Sequence, residues 1–245
     1  MNKIIAMWAH PRSLSTPFER MMMQRRDFKI FHEPYSYTYY VAEKRAMGAS
    51  FHEDLIEHKL RSFDEATNAI LSAAREKPVY FKDMAYYVIC HADKAYLSNF
   101  VNTFIIRDPE PSLLSNYKMN PRFILDEAGY EAQYKFFRMA ETITGKTPAV
   151  VDATDLENDP KKVIRAYCEA VGIPFIAEAL TWPSKENISE FGVWKEWHVD
   201  ATKSTGFEKN MEKFDITLDT DPILREYYEI CLPYYKFMHK HRIGH

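Results

Sequence analysis

Six consecutive apolar residues, Ile4-Ile5-Ala6-Met7-Trp8-Ala9, run directly into His10-Pro11-Arg12-Ser13-Leu14-Ser15-Thr16-Pro17. The apolar run from Lys3 to Ala9 reads as a buried first strand, and Thr16 through Arg26 as a helix with Phe18, Met21 and Met22 at helical spacing. Between them lies a short basic, hydroxyl-rich turn. The first backbone N–H groups of a helix have no intrahelical partner, so a turn there is suited to an anion. Arg12 can engage two oxygens at once, while Ser13, Ser15 and Thr16 can donate further hydrogen bonds. Taken locally, the same pattern also fits an ordinary strand, loop and capped helix.

The alternation of short strands and helices continues downstream. Phe28 to Phe31 is a second strand that stops at His32-Glu33-Pro34, where proline blocks continuation. Residues 34 to 60 lack clear periodicity and are expected to form loops and short helices over the site. Ser62-Phe63-Asp64-Glu65 is a capping box opening a helix that runs to Lys77, and Pro78 to Asp83 turns into a strand. Asn102 to Arg107 is another buried run, followed by a helix from Pro109 or Glu110 that carries Leu113 and Leu114. Phe136, Phe137, Ala140 and Ile143 mark a further helix, Pro148 to Val151 a strand, and Pro160 to Val171 a helix ended by Gly172. Past Gly172 the pattern loosens into a long ordered loop, and a final helix spans Pro222 to His241 behind an Asp221 cap. This order predicts an α/β chain: a three-layer sandwich around a central, mostly parallel sheet.

The 245 residues are 46% apolar, enough for one sizeable domain, residues 1–245, closed without metal or disulfide staples. A net charge of -3 provides no global field for nucleic acid, so any positive patch is local. Cys90, Cys168 and Cys231 are widely spaced, form no ligand or disulfide pattern, and are expected to be buried free thiols in a reducing compartment. No stretch approaches the roughly 18 apolar residues a bilayer span needs, and the N-terminal run is too short for a signal peptide. A cytoplasmic protein without membrane insertion is the expectation. His239, His241 and His245 are read as a solvated basic end rather than a metal site. The aromatic excess, with Tyr35, Tyr37, Tyr39 and Tyr40 clustered, suits a substrate slot, a core or a homo-oligomer face.

A second basic strand end follows at Arg107-Asp108-Pro109-Glu110-Pro111-Ser112-Leu113-Leu114-Ser115. A strand-end arginine and a first-turn serine can meet on one phosphate, and two such turns on neighbouring strands would hold two separated phosphates. Here the chain resembles the sulfotransferases that use 3'-phosphoadenosine 5'-phosphosulfate, with their P-loop NTPase-like fold. Pro11-Arg12-Ser13-Leu14-Ser15-Thr16 is similar to the loop that binds the 5'-phosphosulfate, and Arg107 and Ser115 match the pair that binds the 3'-phosphate. Asp155-Leu156 and Asp159-Pro160 extend the similarity to about residue 172.

The departures carry information too. Leu14 stands where glycine is frequent in the family, and a Cβ there narrows the approach to the backbone. Many members place a histidine just after a strand-borne lysine, whereas Lys82-Asp83-Met84-Ala85-Tyr86 offers Met84, which takes no proton. The resemblance instead implies Glu33 as the base, with His32 as its adjacent rival and Lys82 either steadying the transferred sulfonate or anchoring an acidic neighbour. Arg12 would stabilise charge on the leaving phosphate. Tyr35, Tyr37 and Tyr86 are candidates for an acceptor pocket, and Trp194-Lys195 and Ser204-Thr205-Gly206-Phe207 resemble the family's C-terminal nucleotide segment only faintly. The implied reaction is sulfuryl transfer to a hydroxyl, or less readily an amine, of a small molecule with an apolar or aromatic body, without a metal. The alternatives are a nucleotide-binding regulatory protein without efficient turnover and a P-loop-like kinase. The kinase lacks its Gly-x-x-x-x-Gly-Lys-Ser/Thr loop here, and a dinucleotide oxidoreductase lacks its Gly-x-Gly-x-x-Gly turn.

Overall fold

The computed structural model describes residues 1–42, 62–184, 191, 202–207, 209 and 213–245. Its sheet has five parallel strands in the order β2-β3-β1-β4-β5: β1 Ile4–Ala9, β2 Lys29–His32, β3 Val79–Met84, β4 Val101–Ile106 and β5 Ala149–Asp152. Strand β1 is central, pairing from Ile4↔Val79 to Ala9↔Met84 on one side and from Ile5↔Val101 to Trp8↔Phe104 on the other. The helices are α1 Ser15–Arg25, α2 Phe63–Glu76, α3 Ala85–Val88, α4 Lys94–Leu97, α5 Pro109–Met119, α6 Tyr130–Thr144, α7 Ala153–Asn158, α8 Pro160–Val171 and α9 Pro222–His239. All five strands run the same way, where a mostly parallel sheet was expected, and β2 and β4 begin and end within a residue or so of their expected limits.

Strand periodicity sorts the side chains into two layers. Trp8, Phe81 and Phe104 face one side, where Trp8 meets Phe81 and Phe136 edge to face and Phe104 meets Phe137. Tyr80 and Thr103 face the other, against Phe18 of α1 and Tyr167 of α8. Apolar burial on both faces is what makes β1 an unbroken hydrophobic run. The local signals hold the helices in place: the Ser62–Glu65 capping box opens α2, Asp159 caps α8 with Pro160 at its first position, and Asp221 caps α9. Gly172 ends α8 at φ 66°, a left-handed position glycine takes without Cβ strain.

The segment from residue 34 turns into a π-helix at Thr38–Ala42, and the rest of the expected cover over the site, residues 43–60, lies outside the described residues. Helix α9 stops at His239, two residues short of its expected end, and carries Pro233 inside it. The C-terminal histidines are not fully solvated: His241 packs against Phe137 and Phe237, and His239 against Tyr235. Cys168 and Cys231 are buried, but Cys90 is exposed because it falls in the turn after α3 rather than on a packed face. Among the described residues no helix is long and apolar enough to cross a membrane.

Beyond the β1–β4 ladder the strand ends are clamped by Gln133 of α6. It is fully buried and donates from Nε2 to the carbonyls of Trp8 at 2.9 Å and Ile105 at 2.8 Å. Gln133→Leu is nearly isosteric but removes both donors, so unfolding in urea should need about 1–3 kcal/mol less free energy than wild type. A midpoint that does not move would show that the clamp contributes nothing.

Candidate active site

Strand order reverses around β1, since β3 lies on one side and β4 on the other, and the crevice at such a point lies beyond the carboxyl ends of the strands. The turn after β1 has positive φ at Arg12 (62°) and Leu14 (65°), separated by Ser13. Two left-handed residues so spaced fold the chain into a concavity of backbone N–H groups that suits an anion. Leu14 is also the N-cap of α1 and supplies no side-chain acceptor to its first turn. At this φ the Leu14 Cβ carries the backbone strain that a glycine would not. Ser13 is fully buried, and its hydroxyl donates 2.7 Å to the His10 carbonyl, closing the turn instead of pointing to a ligand. Ser15 and Thr16 begin α1 and are both buried.

The end of β4 interlocks with this turn. Arg107 Nη1 donates 3.0 Å to the Arg12 carbonyl, and Arg12 Nε donates 2.8 Å to Ser115 Oγ. Ser115 sits in the second turn of α5, not its first, so it reaches across to Arg12 rather than back to Arg107. The serine in the first turn is Ser112, whose hydroxyl donates 2.8 Å to the Pro11 carbonyl. The two anticipated grips are thus one connected cluster with Arg12 at its centre.

His10 lies between them. It is fully buried; its Nε2 accepts the Arg107 backbone N–H at 3.1 Å, and its Nδ1 lies 3.0 Å from the Pro11 carbonyl and 3.2 Å from Ser112 Oγ. An amide N–H only donates, so Nε2 must carry the lone pair and Nδ1 the proton. Burial is the main cause that lowers its pKa to about 3, with the Arg107 charge adding to it against the opposing Pro11 hydrogen bond.

A buried row of charged groups lies under the ends of β2 and β3. His32 and Lys82 are register partners on the face covered by α1. Lys82, fully buried, makes a short ion pair with Glu33. His32 Nδ1 donates 2.6 Å to Glu19 Oε2 from α1, and its Nε2 stands 4.0 Å from Glu33 Oε1. Glu33 occupies a left-handed backbone position, φ 41°, at the turn where β2 ends. Asp83 faces the opposite layer and accepts the N–H groups of Tyr35 and Met84, each at 2.8 Å. Desolvation, with Glu33 adding to it, pushes the Asp83 carboxyl well above its ordinary range, although those N–H groups and Lys82 oppose the shift.

The three tyrosines proposed from the sequence part company. Tyr35 is a core residue whose hydroxyl meets Thr67 at 3.1 Å. Tyr37 feels Glu33, and burial with that charge raises its phenol to about 12. Tyr86 belongs to a cluster with Tyr39, Tyr40 and Tyr87 and lines a cleft of about 160 Å³ with Tyr130, Leu125 and Ile230. Trp194 and Lys195 lie outside the described residues. Ser204 is held by Arg20 and by Trp182 Nε1 at 3.3 Å, which ties its segment to α1. The sequence reasoning missed Glu19, Ser112 and Tyr130. The available signal for the first was a carboxylate on the same helical face as the apolar residues of α1.

A parallel sheet with two basic, hydroxyl-bearing turns at neighbouring strand ends is a frame on which α/β proteins hold phosphorylated ligands. The chain belongs to the sulfotransferase family, since the model of the sulfotransferase domain matches residues 2–242. The fold is similar to that of the sulfotransferase domain of the Synechococcus PCC 7002 olefin synthase, with a TM-score of 0.55 at 13% identity over 94% of each chain. It is also similar to a sulfotransferase from Alicyclobacillus acidocaldarius, with a TM-score of 0.53 at 11% identity over 99% of this chain and 97% of that one. Among curated proteins it is 27% identical over 244 residues to branched-chain-amino-acid aminotransferase-like protein 2 of Arabidopsis thaliana and 28% identical over 243 residues to protein 1 of the same name and organism. These alignments cover 98% of this chain but 42% of each relative, so the chain spans less than half the length of those proteins.

The His10 shift has a signed consequence for stability. Its folded pKa lies below the unfolded value of 6.5, so the stability it contributes is present above that pH and is lost as pH falls toward about 3. Urea titrations across this window should show a slope that His10→Gln makes shallower by nearly one proton. Equal slopes in the two proteins would place the acid sensitivity elsewhere.

Proposed function

We propose that the chain transfers a sulfuryl group from 3'-phosphoadenosine 5'-phosphosulfate to the hydroxyl of a small-molecule acceptor with an apolar or aromatic body. The observation that carries this reading is the convergence of Arg12, Arg107 and Ser115 at the ends of β1 and β4. Two guanidiniums, a helix-borne hydroxyl and a concave run of backbone suit a ligand with two separated phosphate groups, and none of these is a hard-metal ligand set. Arg12, Ser13, Leu14, Ser15 and Thr16 would hold the 5' end, with Ser13 and Leu14 contributing backbone, and Arg107 and Ser115 the 3'-phosphate.

The donor supplies the sulfuryl group: its sulfur–oxygen bond to the 5'-phosphate breaks as the bond from acceptor oxygen to sulfur forms. Arg12 stabilises the electron pair left on the phosphate oxygen, and the Glu33 carboxylate takes the acceptor's proton. Lys82 fixes that carboxylate through its ion pair, while Glu19 orients His32 beside it. With Nδ1 of His32 held by Glu19, its Nε2 lies 4.0 Å from Glu33 Oε1, so His32 stays the rival base and the pH–rate profiles decide between them. The tyrosines around Glu33 would supply the apolar wall for the acceptor.

Calorimetry tests the donor assignment. Wild type should bind 3'-phosphoadenosine 5'-phosphate at least about tenfold more tightly than AMP or ATP, and Arg107→Ala should abolish that preference. Indifference to the 3'-phosphate in wild type would overturn the donor reading, and tight binding without acceptor-dependent turnover would make the chain a binding protein.

The base is tested by pH–rate profiles. Glu33→Gln should lower kcat by about 10²–10⁴-fold and remove the ionisation that limits turnover at low pH, and His32→Asn should keep it. Persistence of that limb in Glu33→Gln would exclude Glu33.

A further inference from the structure

The backbone pairing of β1 with β4 ends at Trp8↔Phe104, but the two proposed phosphate-binding turns leave the strands two or three residues later. Across that gap several side chains join the turns, Arg107 to the Arg12 carbonyl and Ser112 to the Pro11 carbonyl among them, and His10 holds the Arg107 backbone itself. Through Nε2 it accepts the N–H of Arg107, and through Nδ1–H it reaches the carbonyl of Pro11 and the hydroxyl of Ser112. The following peptide group is held as well, because Tyr130 donates its hydroxyl 3.0 Å to the Arg107 carbonyl. The His10 and Tyr130 rings stack with centroids 4.1 Å apart and a 31° tilt, so one support holds the peptide groups on both sides of Arg107. Gly129 makes the stack possible: a Cβ on it would lie 3.0 Å from the His10 Cβ, and its φ is 82°.

We propose that His10 is a positioning residue that sets the spacing between the two phosphate-binding turns, acting as a neutral Nδ1–H imidazole bridging the ends of β1 and β4. The proposal rests on the donor reading above. It follows from rigid geometry: a ligand with two phosphates on one ribose has a fixed span, and binding energy from both is realised only if the two turns sit at that span. A ligand with one phosphate is indifferent to it. His10 touches neither the acceptor nor the reacting atoms in this arrangement, and its effect passes through Arg107 and Pro11.

The test compares three variants. His10→Phe keeps a ring against Tyr130 but has no acceptor for the Arg107 N–H. His10→Gln places an amide oxygen near the position of Nε2 and restores that acceptor. Gly129→Ala leaves His10 intact and displaces it. Calorimetry with 3'-phosphoadenosine 5'-phosphate and AMP should show the preference for the doubly phosphorylated nucleotide falling about tenfold in His10→Phe and Gly129→Ala, with AMP affinity nearly unchanged, and recovering in His10→Gln. Losses that are equal for both nucleotides, or no recovery in His10→Gln, would overturn the positioning role while leaving the donor reading standing. A wild type without preference removes both.

A second measurement needs no nucleotide and covers variants that fail to fold. Nitrogen-15 NMR of wild-type imidazoles should show His10 as the neutral Nδ1–H tautomer at neutral pH, and the Arg107 amide should exchange slowly with solvent. An Nε2–H tautomer, an imidazolium, or an unprotected Arg107 amide would overturn the proposal by itself.

Discussion

The site depends on one adjacency, the side-by-side ends of β1 and β4. A parallel ladder fixes strands only as far as its last paired residue, and here that is Trp8↔Phe104. Beyond it the chains would diverge, since the helices they enter pack in different places: α1 lies against β2 and β3, and α5 against α9. Gln133 gathers the carbonyls of Trp8 and Ile105, and His10 gathers the N–H of Arg107 and the carbonyl of Pro11. These side chains extend the ladder into a region where backbone pairing has stopped. Each is buried, so each bond is made in a low dielectric and is costly to leave unmade. The guanidiniums of Arg12 and Arg107 then inherit a defined separation from the sheet itself.

The second constraint is charge. Glu19, His32, Glu33 and Lys82 are all buried, and no hydrophobic core requires any of them. Taking such groups out of water costs several kcal/mol each unless partners return it, and a well-packed apolar set is often at least as stable. Their arrangement offsets the cost: Glu19 binds His32, Glu33 binds Lys82, and the imidazole stands between the two carboxylates. Removing one member would strand another, which is the expensive case. Stability alone does not call for this row, and buried, mutually paired titratable groups of this kind cluster at functional sites.

Much of this was legible in the chain because the signals are local. An unbroken apolar run announces a strand covered on two faces, and Asp159-Pro160 and Gly172 bracket α8 with chemistry that acts over one or two residues. The strand-end arginines could be placed for the same reason. What was not legible is what depends on tertiary reach. That Ser115 meets Arg12 rather than Arg107 follows from its place in the second turn of α5 and from how α5 lies across the neighbouring turn. Lys82 and Glu33 are 49 residues apart and meet only because β2 and β3 pair in a register that aligns His32 with Lys82. Tyr35 and Tyr37 are both buried in the core, yet Tyr35 meets Thr67 through its hydroxyl while Tyr37 feels the charge of Glu33, a distinction composition does not carry.

The turn after β1 shows how such reach shapes local chemistry. A non-glycine residue in the left-handed region costs on the order of 1–3 kcal/mol, and this turn has two, Arg12 and Leu14. Glycine would remove the Cβ strain at position 14, and a serine or aspartate there would cap α1. Leucine does neither, but its side chain packs on the hydrophobic core, so burial offsets part of the cost. The strained shape is maintained from outside: Ser13 ties to His10, Ser112 to Pro11, and Arg107 to the Arg12 carbonyl. An anion-binding turn of glycines is flexible and becomes ordered around its ligand. The turn after β1 is instead over-determined by its neighbours, and its shape is tied to the position of β4; under the proposed donor binding, less of the binding energy would be spent on ordering it.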